Sequence, residues 1–173
     1  MEMKPDLALS ILNEHSVRLD GPQLLHQLVE TSRTSGDCAI DFLENDGTRR
    51  KISYQSLHEL SDALARRIRR SLSDQKQNTA VIPILLPQSP ELYVTLLAIL
   101  KAGGAFCPLN LDAPEERLNF ILQDVSAFLV ITTSLLKAKI PRKANLEVLY
   151  VDYELHQNCI DSSFDELPYT QWS

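Results

Sequence analysis

The chain is poor in the residues from which many sites are built. Its three cysteines, Cys38, Cys107 and Cys159, form no C-x-x-C pair. An odd set without that spacing speaks against a disulfide framework and against a structural zinc site, and reduced thiols fit an intracellular setting. Five glycines leave no room for a glycine-rich phosphate loop: neither G-x-G-x-x-G nor G-x-x-x-x-G-K-[ST] occurs. G-x-S-x-G is absent, so a nucleophile elbow has no support. The four histidines, His15, His26, His58 and His156, show no metal-ligand spacing. No apolar run approaches the roughly 20 residues of a membrane span, and the opening MEMKPDLALS lacks a signal-peptide core. Positive charge is short as well. Seventeen Lys and Arg stand against 23 Asp and Glu, a net charge of −6, which argues against non-specific nucleic-acid binding. The expectation is a cytoplasmic chain with no membrane and no nucleic-acid partner.

What is present suffices for a core. Hydrophobic residues make up 44% of 173 positions, enough for one globular domain. Residues 1–20 read as an irregular leader. Gly21-Pro22 opens a helix, with proline at the first helical position, whose face is Leu24, Leu25, Leu28 and Val29. Cys38–Leu43 and Arg49–Ser53 read as two strands joined at Asn45-Asp46-Gly47, residues that accept positive φ. Ser53 then caps a helix whose Leu57, Leu60, Leu64, Ile68 and Leu72 recur every three or four residues as one buried stripe.

The organising stretch is Val81 to Asn110. Ala80–Leu86 is apolar without alternation, as expected of a strand covered on both faces. The helix after Pro90 should bury Leu92, Tyr93, Leu96, Leu97 and Leu100, with Val94, Ala98 and Ile99 leaving little polar surface. Gly103-Gly104 ends it, and Ala105–Leu109 is the next strand. Asp112 should cap a further helix with Glu115 and Glu116 at its positive end and Leu118, Ile121, Leu122 and Val125 inside. Phe128–Thr132 and Leu146–Val151 are strands, separated by a short helix or turn at Thr133–Lys139. Helical crossovers between strands imply parallel pairing. The fold class is therefore α/β: a layered parallel sheet with flanking helices and an N-terminal β-hairpin. Residues 152–173 read as an acidic loop or linker, which leaves 21–151 as the domain proper.

No group in this pattern demands catalysis. Gly103-Gly104 is explained as a left-handed helix end followed by a turn into a strand. His26 and His58 fall off the apolar stripes and read as surface residues. Cys107, beside Phe106 in an apolar strand, reads as a small core residue. Arg66-Arg67 and Arg69-Arg70 read as a solvated helix face.

Four segments, in order, carry a resemblance. Leu100-Lys101-Ala102-Gly103-Gly104-Ala105-Phe106-Cys107-Pro108-Leu109-Asn110 resembles LKAGxAYVP[IL]D, the second core motif of the adenylation domains of nonribosomal peptide synthetases, which are adenylate-forming (AMP-binding) enzymes. Phe106, Cys107 and Asn110 depart from it. Ser89-Pro90-Glu91-Leu92 is similar to the S-P-E-[LM] that precedes the motif, and Pro114–Leu118 to the P-x-x-R-[LI] that follows. Ile52–Leu57 is similar to the first core motif, L-[TS]-Y-x-E-L, with Ser56 in place of Glu. Gly21–His26 resembles the corresponding segment of fungal synthetases of the siderophore kind.

The resemblance implies the first part of the large N-terminal subdomain of such an enzyme. The complete family domain uses ATP and magnesium to make an acyl adenylate, then passes the acyl group to a phosphopantetheine thiol. Its phosphate loop and later motifs are not found in this sequence. The resemblance therefore implies an N-terminal fragment, inactive alone, with no cofactor and no catalytic residue of its own. By this resemblance Gly103, Gly104 and Pro108 are the candidate cofactor-binding positions, in the pantetheine-tunnel neighbourhood of the second core motif, and a structural role is expected of them. The implied partners are the remainder of the adenylation domain or a carrier-protein domain, with self-association through an exposed sheet edge as a further expectation. Two alternatives stay open: a non-catalytic interaction module, and a fragment of an acyl-CoA or aryl-acid ligase.

Overall fold

The computed structural model describes residues 24–73, 80–142, 145–152 and 154–155. Strands β1 (Cys38–Leu43) and β2 (Arg49–Ser53) pair antiparallel, with Leu43 opposite Arg49. Their turn is closed by Gly47 at φ +86°, whose N–H donates to the Glu44 carbonyl. The Asp46 carboxylate accepts from the Thr48 N–H at 2.8 Å. These contacts are what the Asn-Asp-Gly sequence predicts. Helix α2 (Tyr54–Ser73) starts where expected: the Ser53 hydroxyl accepts from the Ser56 N–H at 3.1 Å. Leu57, Leu64 and Ile68 are buried along it, and Leu60 and Leu72 pack from its margins.

The second sheet is parallel throughout. Its elements are β3 (Val81–Leu85), α3 (Pro90–Ala102), β4 (Ala105–Pro108), α4 (Glu115–Asp124), β5 (Leu129–Thr132), a 3-10 turn (Ser134–Lys139) and β6 (Glu147–Tyr150). The spatial order is β4-β3-β5-β6. Side chains alternate between the faces of a strand, and the core divides accordingly. Ile82, Ile84, Leu129 and Ile131 face α2 and α3, packing with Leu64, Ile68, Val94, Ala98 and Ile99. Leu85 and Val130 face the other way, onto Leu118 and Leu122 of α4 and Ile140. The central strands are therefore covered on both sides, and their unbroken apolar run is explained.

Several expectations are corrected. Helix α3 buries Val94, Leu97, Ala98 and Ile99, whereas Leu92, Leu96 and Leu100 are half-buried and Tyr93 is exposed. An evenly apolar helix has no periodic signal to fix its inner face. Val94, Leu97, Ala98 and Ile99 join Leu64 and Ile68 of α2 in the core, and Leu92 and Leu96 pack against it from the margins. Among the described residues β4 is an edge strand, with Phe106 exposed and Cys107 only half-buried. The N-terminal helix is a single turn, α1 (Gln27–Glu30), with Leu24, Leu25 and Leu28 exposed and only Val29 packed on the core. Its expected start at Gly21-Pro22 lies outside the described residues. Pro114, not Asp112, stands at the N-cap of α4, with no side-chain cap bond. The packed region extends past residue 151, since Leu155 belongs to the core. The leader and most of the acidic tail lie outside the described residues.

Candidate functional site

The motif residues form the corner where α3 turns into β4. Gly103 ends the helix in the left-handed region, φ +86°, with its N–H directed at the carbonyls of Ile99 and Leu100. A β-carbon there would enter open space, so the backbone angle alone selects glycine. Gly104 is selected by contact instead. A β-carbon on it would lie 3.1 Å from Ile82 Cδ1, 3.2 Å from Ile99 Cγ2 and 3.3 Å from the Ala80 carbonyl oxygen. Pro108 closes β4, opposite Ile84, on an edge strand that tolerates its missing N–H. Geometry brings Gly103 and Gly104 together as one packing unit and puts Pro108 at the other end of the strand.

The sequence reading missed the polar centre of this corner. His58 is not a surface residue: it is 1% exposed. Lys101, in the last turn of α3, has a side chain only 4% exposed. Its ammonium lies 2.9 Å from His58 Nδ1, 2.9 Å from the Ser61 hydroxyl and 2.7 Å from Asp62 Oδ1. The signal that could have found it is the lysine of the LKAG string, the one charged residue from Leu92 to Ala102.

Two arginines tie the layers together. Arg50 of β2 bonds Glu44 and Glu91, the latter in the first turn of α3. Burial works against its charge, but the hydrogen bonds and charges of Glu91 and Glu44 outweigh it, so its pKa stands above the ordinary guanidinium value. Arg67 of α2 bonds Glu147 of β6 and Glu154. The Glu147 hydrogen bond is the main reason its pKa is raised. Arg69 donates to the Lys101 carbonyl. The arginine cluster is thus partly engaged in packing rather than wholly solvated.

A parallel sheet binds ligands outside the carboxyl ends of its strands, where the connections diverge. Here that point lies between β3 and β5. Two backbone donors there, the N–H groups of Leu92 and Ser134, are already engaged. Ser89 caps α3, and Glu91 adds negative charge in its first turn. The Ser134 N–H, which opens the 3-10 turn, donates to both oxygens of Asp152, at 3.1 and 3.0 Å. A shallow cleft of about 350 Å³ adjoins the start of α4 and is lined in part by Asp112, Glu115 and Lys139. The Lys139 ammonium donates to the Leu111 carbonyl at 2.7 Å. Helix N-termini bind phosphate when their N–H groups are open and no carboxylate competes, and carboxylates stand in both first turns, Glu91 in α3 and Glu115 and Glu116 in α4. Among the described residues no His, Cys, Asp and Glu cluster could hold a metal ion. These residues do not by themselves fit ATP or magnesium.

Comparison with known proteins agrees with the fold. A family model described as AMP-binding enzyme matches residues 30–170. Nonribosomal peptide synthetase 2 of Cochliobolus heterostrophus is 52% identical over 161 residues, covering 93% of this chain and 3% of that protein. Nonribosomal peptide synthetase SIDC of Beauveria bassiana is 53% identical over 146 residues, covering 83% of the chain and again 3% of its length. Among solved structures, the N-terminal subdomain of Klebsiella oxytoca NpsA in complex with 3-hydroxybenzoyl-AMSN superposes with a TM-score of 0.65 at 25% identity. That match covers 89% of this chain and 36% of the other. This chain thus spans about 3% of the length of these curated relatives. With the family match running over most of its length and the layered parallel sheet shared with an adenylation subdomain, the chain belongs to the AMP-binding enzyme family.

Proposed function

We propose that the chain supplies one part of an amino-acid-activating adenylation domain in nonribosomal peptide synthesis. In the complete domain a carboxylate attacks the α-phosphate of ATP, giving an acyl adenylate and pyrophosphate. The acyl group then passes to the phosphopantetheine thiol of a carrier protein. The observation that carries this reading is the family match over residues 30–170, joined to the fit on only 36% of an adenylation subdomain. The residues of this chain do not bind the nucleotide in this account. They build the β3-α3-β4 and β5 layer against which the rest of the domain is positioned. ATP and magnesium belong to the complete domain. We place the chain in the cytoplasm, divided into a leader (1–20), a partial adenylation domain (21–151, with packing to Leu155) and an acidic tail. Gly103, Gly104 and Pro108 serve this layer as structural residues.

ATP–pyrophosphate exchange with mixed amino acids tests the reading. The 173-residue chain alone should give no exchange. Supplying the remaining adenylation segments of a fungal relative as a second polypeptide should restore it, and turnover by the isolated chain would sink the idea. The NpsA complex with a 3-hydroxybenzoyl group supports a second reading, an aryl-acid ligase. Exchange in the complemented domain with aryl acids but not amino acids would select it. The edge position of β4 with exposed Phe106 supports a third, non-catalytic association through strand pairing. Light scattering that finds only monomer removes that one.

A further inference from the structure

The segment from Leu24 to Thr34 is held to the domain by very little apolar surface. Leu24, Leu25 and Leu28 point away from the core, and Val29 alone packs on it. Its tertiary attachments are polar. The Val29 carbonyl lies 2.9 Å from His58 Nε2, Arg33 bonds Asp62 (2.9 Å from Nη1), and Glu30 stands 3.9 Å from both the Lys101 ammonium and His58 Nδ1. All of these lead to Lys101.

Counting donors fixes the protons. An ammonium has three donors and no acceptor, and those of Lys101 meet His58 Nδ1, Ser61 Oγ and Asp62 Oδ1. His58 Nδ1 must therefore present a lone pair. The Val29 carbonyl can only accept, so Nε2 carries the hydrogen. The ring relays one directed contact from α3 through α2 to α1. The surrounding charges are Lys101 and Arg33 on one side and Asp62 and Glu30 on the other, a balanced set. A helix-dipole role for Lys101 does not account for this, because its ammonium turns to α2 rather than to the carbonyls that end α3.

We propose that Lys101 is a positioning residue, the hub of a buried polar latch that docks the N-terminal segment onto the α2–α3 layer through His58 in its Nε2–H form. The latch is independent of any activity and can be read in the 173-residue chain. Nitrogen-15 NMR of the unmodified chain should show His58 protonated at Nε2 and pyridine-like at Nδ1. A proton on Nδ1 overturns the proposal. Lys101→Met should speed tryptic cleavage after Arg33 and amide exchange at Ser32 and Arg33 at least tenfold, with exchange in β3 and β5 unchanged. Unchanged cleavage after Arg33 overturns it too. A second pair of variants decides the matter where Lys101→Met fails to fold. His58→Gln can accept from Lys101 and donate to Val29 with one amide, so it should keep the segment protected, whereas His58→Leu should release it. Equal behaviour of the two refutes the latch.

Discussion

The two glycines of the helix-to-strand corner should fail for different reasons, and a double-mutant cycle can tell them apart. Replacing Gly104 with alanine pushes a methyl to within 3.1 Å of Ile82 Cδ1 and 3.3 Å of the Ala80 carbonyl oxygen. That carbonyl cannot swing aside, since it accepts from the Ala105 N–H at 2.9 Å. Ile82 and Ile99 are both fully enclosed. Overpacking of this kind costs about 2 kcal/mol. Replacing Gly103 with alanine meets no atom and instead forces a left-handed backbone on a β-carbon, which costs about 1–2 kcal/mol. Ile82→Val removes the δ-methyl, and alone it should cost about 1 kcal/mol. Combined with Gly104→Ala it should relieve the clash, so the pair loses about 1 kcal/mol less than the sum. Combined with Gly103→Ala it should simply add. The assay is urea unfolding of the 173-residue chain followed by circular dichroism. If Ile82→Val and Gly104→Ala add within about 0.5 kcal/mol, the contact with the Ile82 δ-methyl is not what excludes a side chain at Gly104.

Other expectations follow from the same packing. The Asp46 carboxylate has its pKa lowered below 3.8 by the Thr48 backbone hydrogen bond first and the Thr48 side chain second. A depressed carboxylate stabilises above its unfolded pKa and loses that contribution as pH falls through the folded value. The Thr48 amide resonance should therefore titrate with a midpoint below 3.8, and Asp46→Asn should abolish that titration while keeping the turn. Ile84 is 1% exposed between the two central layers, so Ile84→Ala should cost roughly 2–5 kcal/mol. Phe106→Ala on the edge strand should cost far less, as unfolding midpoints would show. Arg50→Met leaves Glu91 nearly buried beside Glu44 without its bridging cation. It should cost about 2 kcal/mol, most of which Glu91→Leu in the same chain would return, and a double-mutant cycle in urea checks this.

The parts legible in sequence were those governed by local rules. The β3 run is apolar because both faces are covered. The α2 stripe repeats every three or four residues, and the Asn-Asp-Gly turn and the Ser53 cap carry their own chemistry. What escaped depended on partners far along the chain. His58 looks like a surface residue because the residues that satisfy it, Val29 and Lys101, stand 29 and 43 positions away. Whether Ala105–Pro108 is central or peripheral is not written in those residues. It is decided when β5 takes the far side of β3 and leaves β4 at the margin. The inner face of α3 was misread for want of polar residues to mark the outside. The helix end at the motif glycines was legible, yet only the packing separates the one chosen for its backbone from the one chosen for its neighbours.

The order β4-β3-β5-β6 also sets a timetable for folding. Strands β3 and β4 are joined by one helix and can meet as soon as that helix forms. The β3–β5 seam must close a loop about twice as long: Thr132 donates to the Leu85 carbonyl across 47 residues. Long-range parallel pairing is slow because its entropy is spent before its contacts form. Mutations in the β3-α3-β4 unit should therefore slow folding, and those along β5 and β6 should chiefly hasten unfolding. The stretch from Val81 to Asn110 would then act as the nucleus onto which the later strands condense.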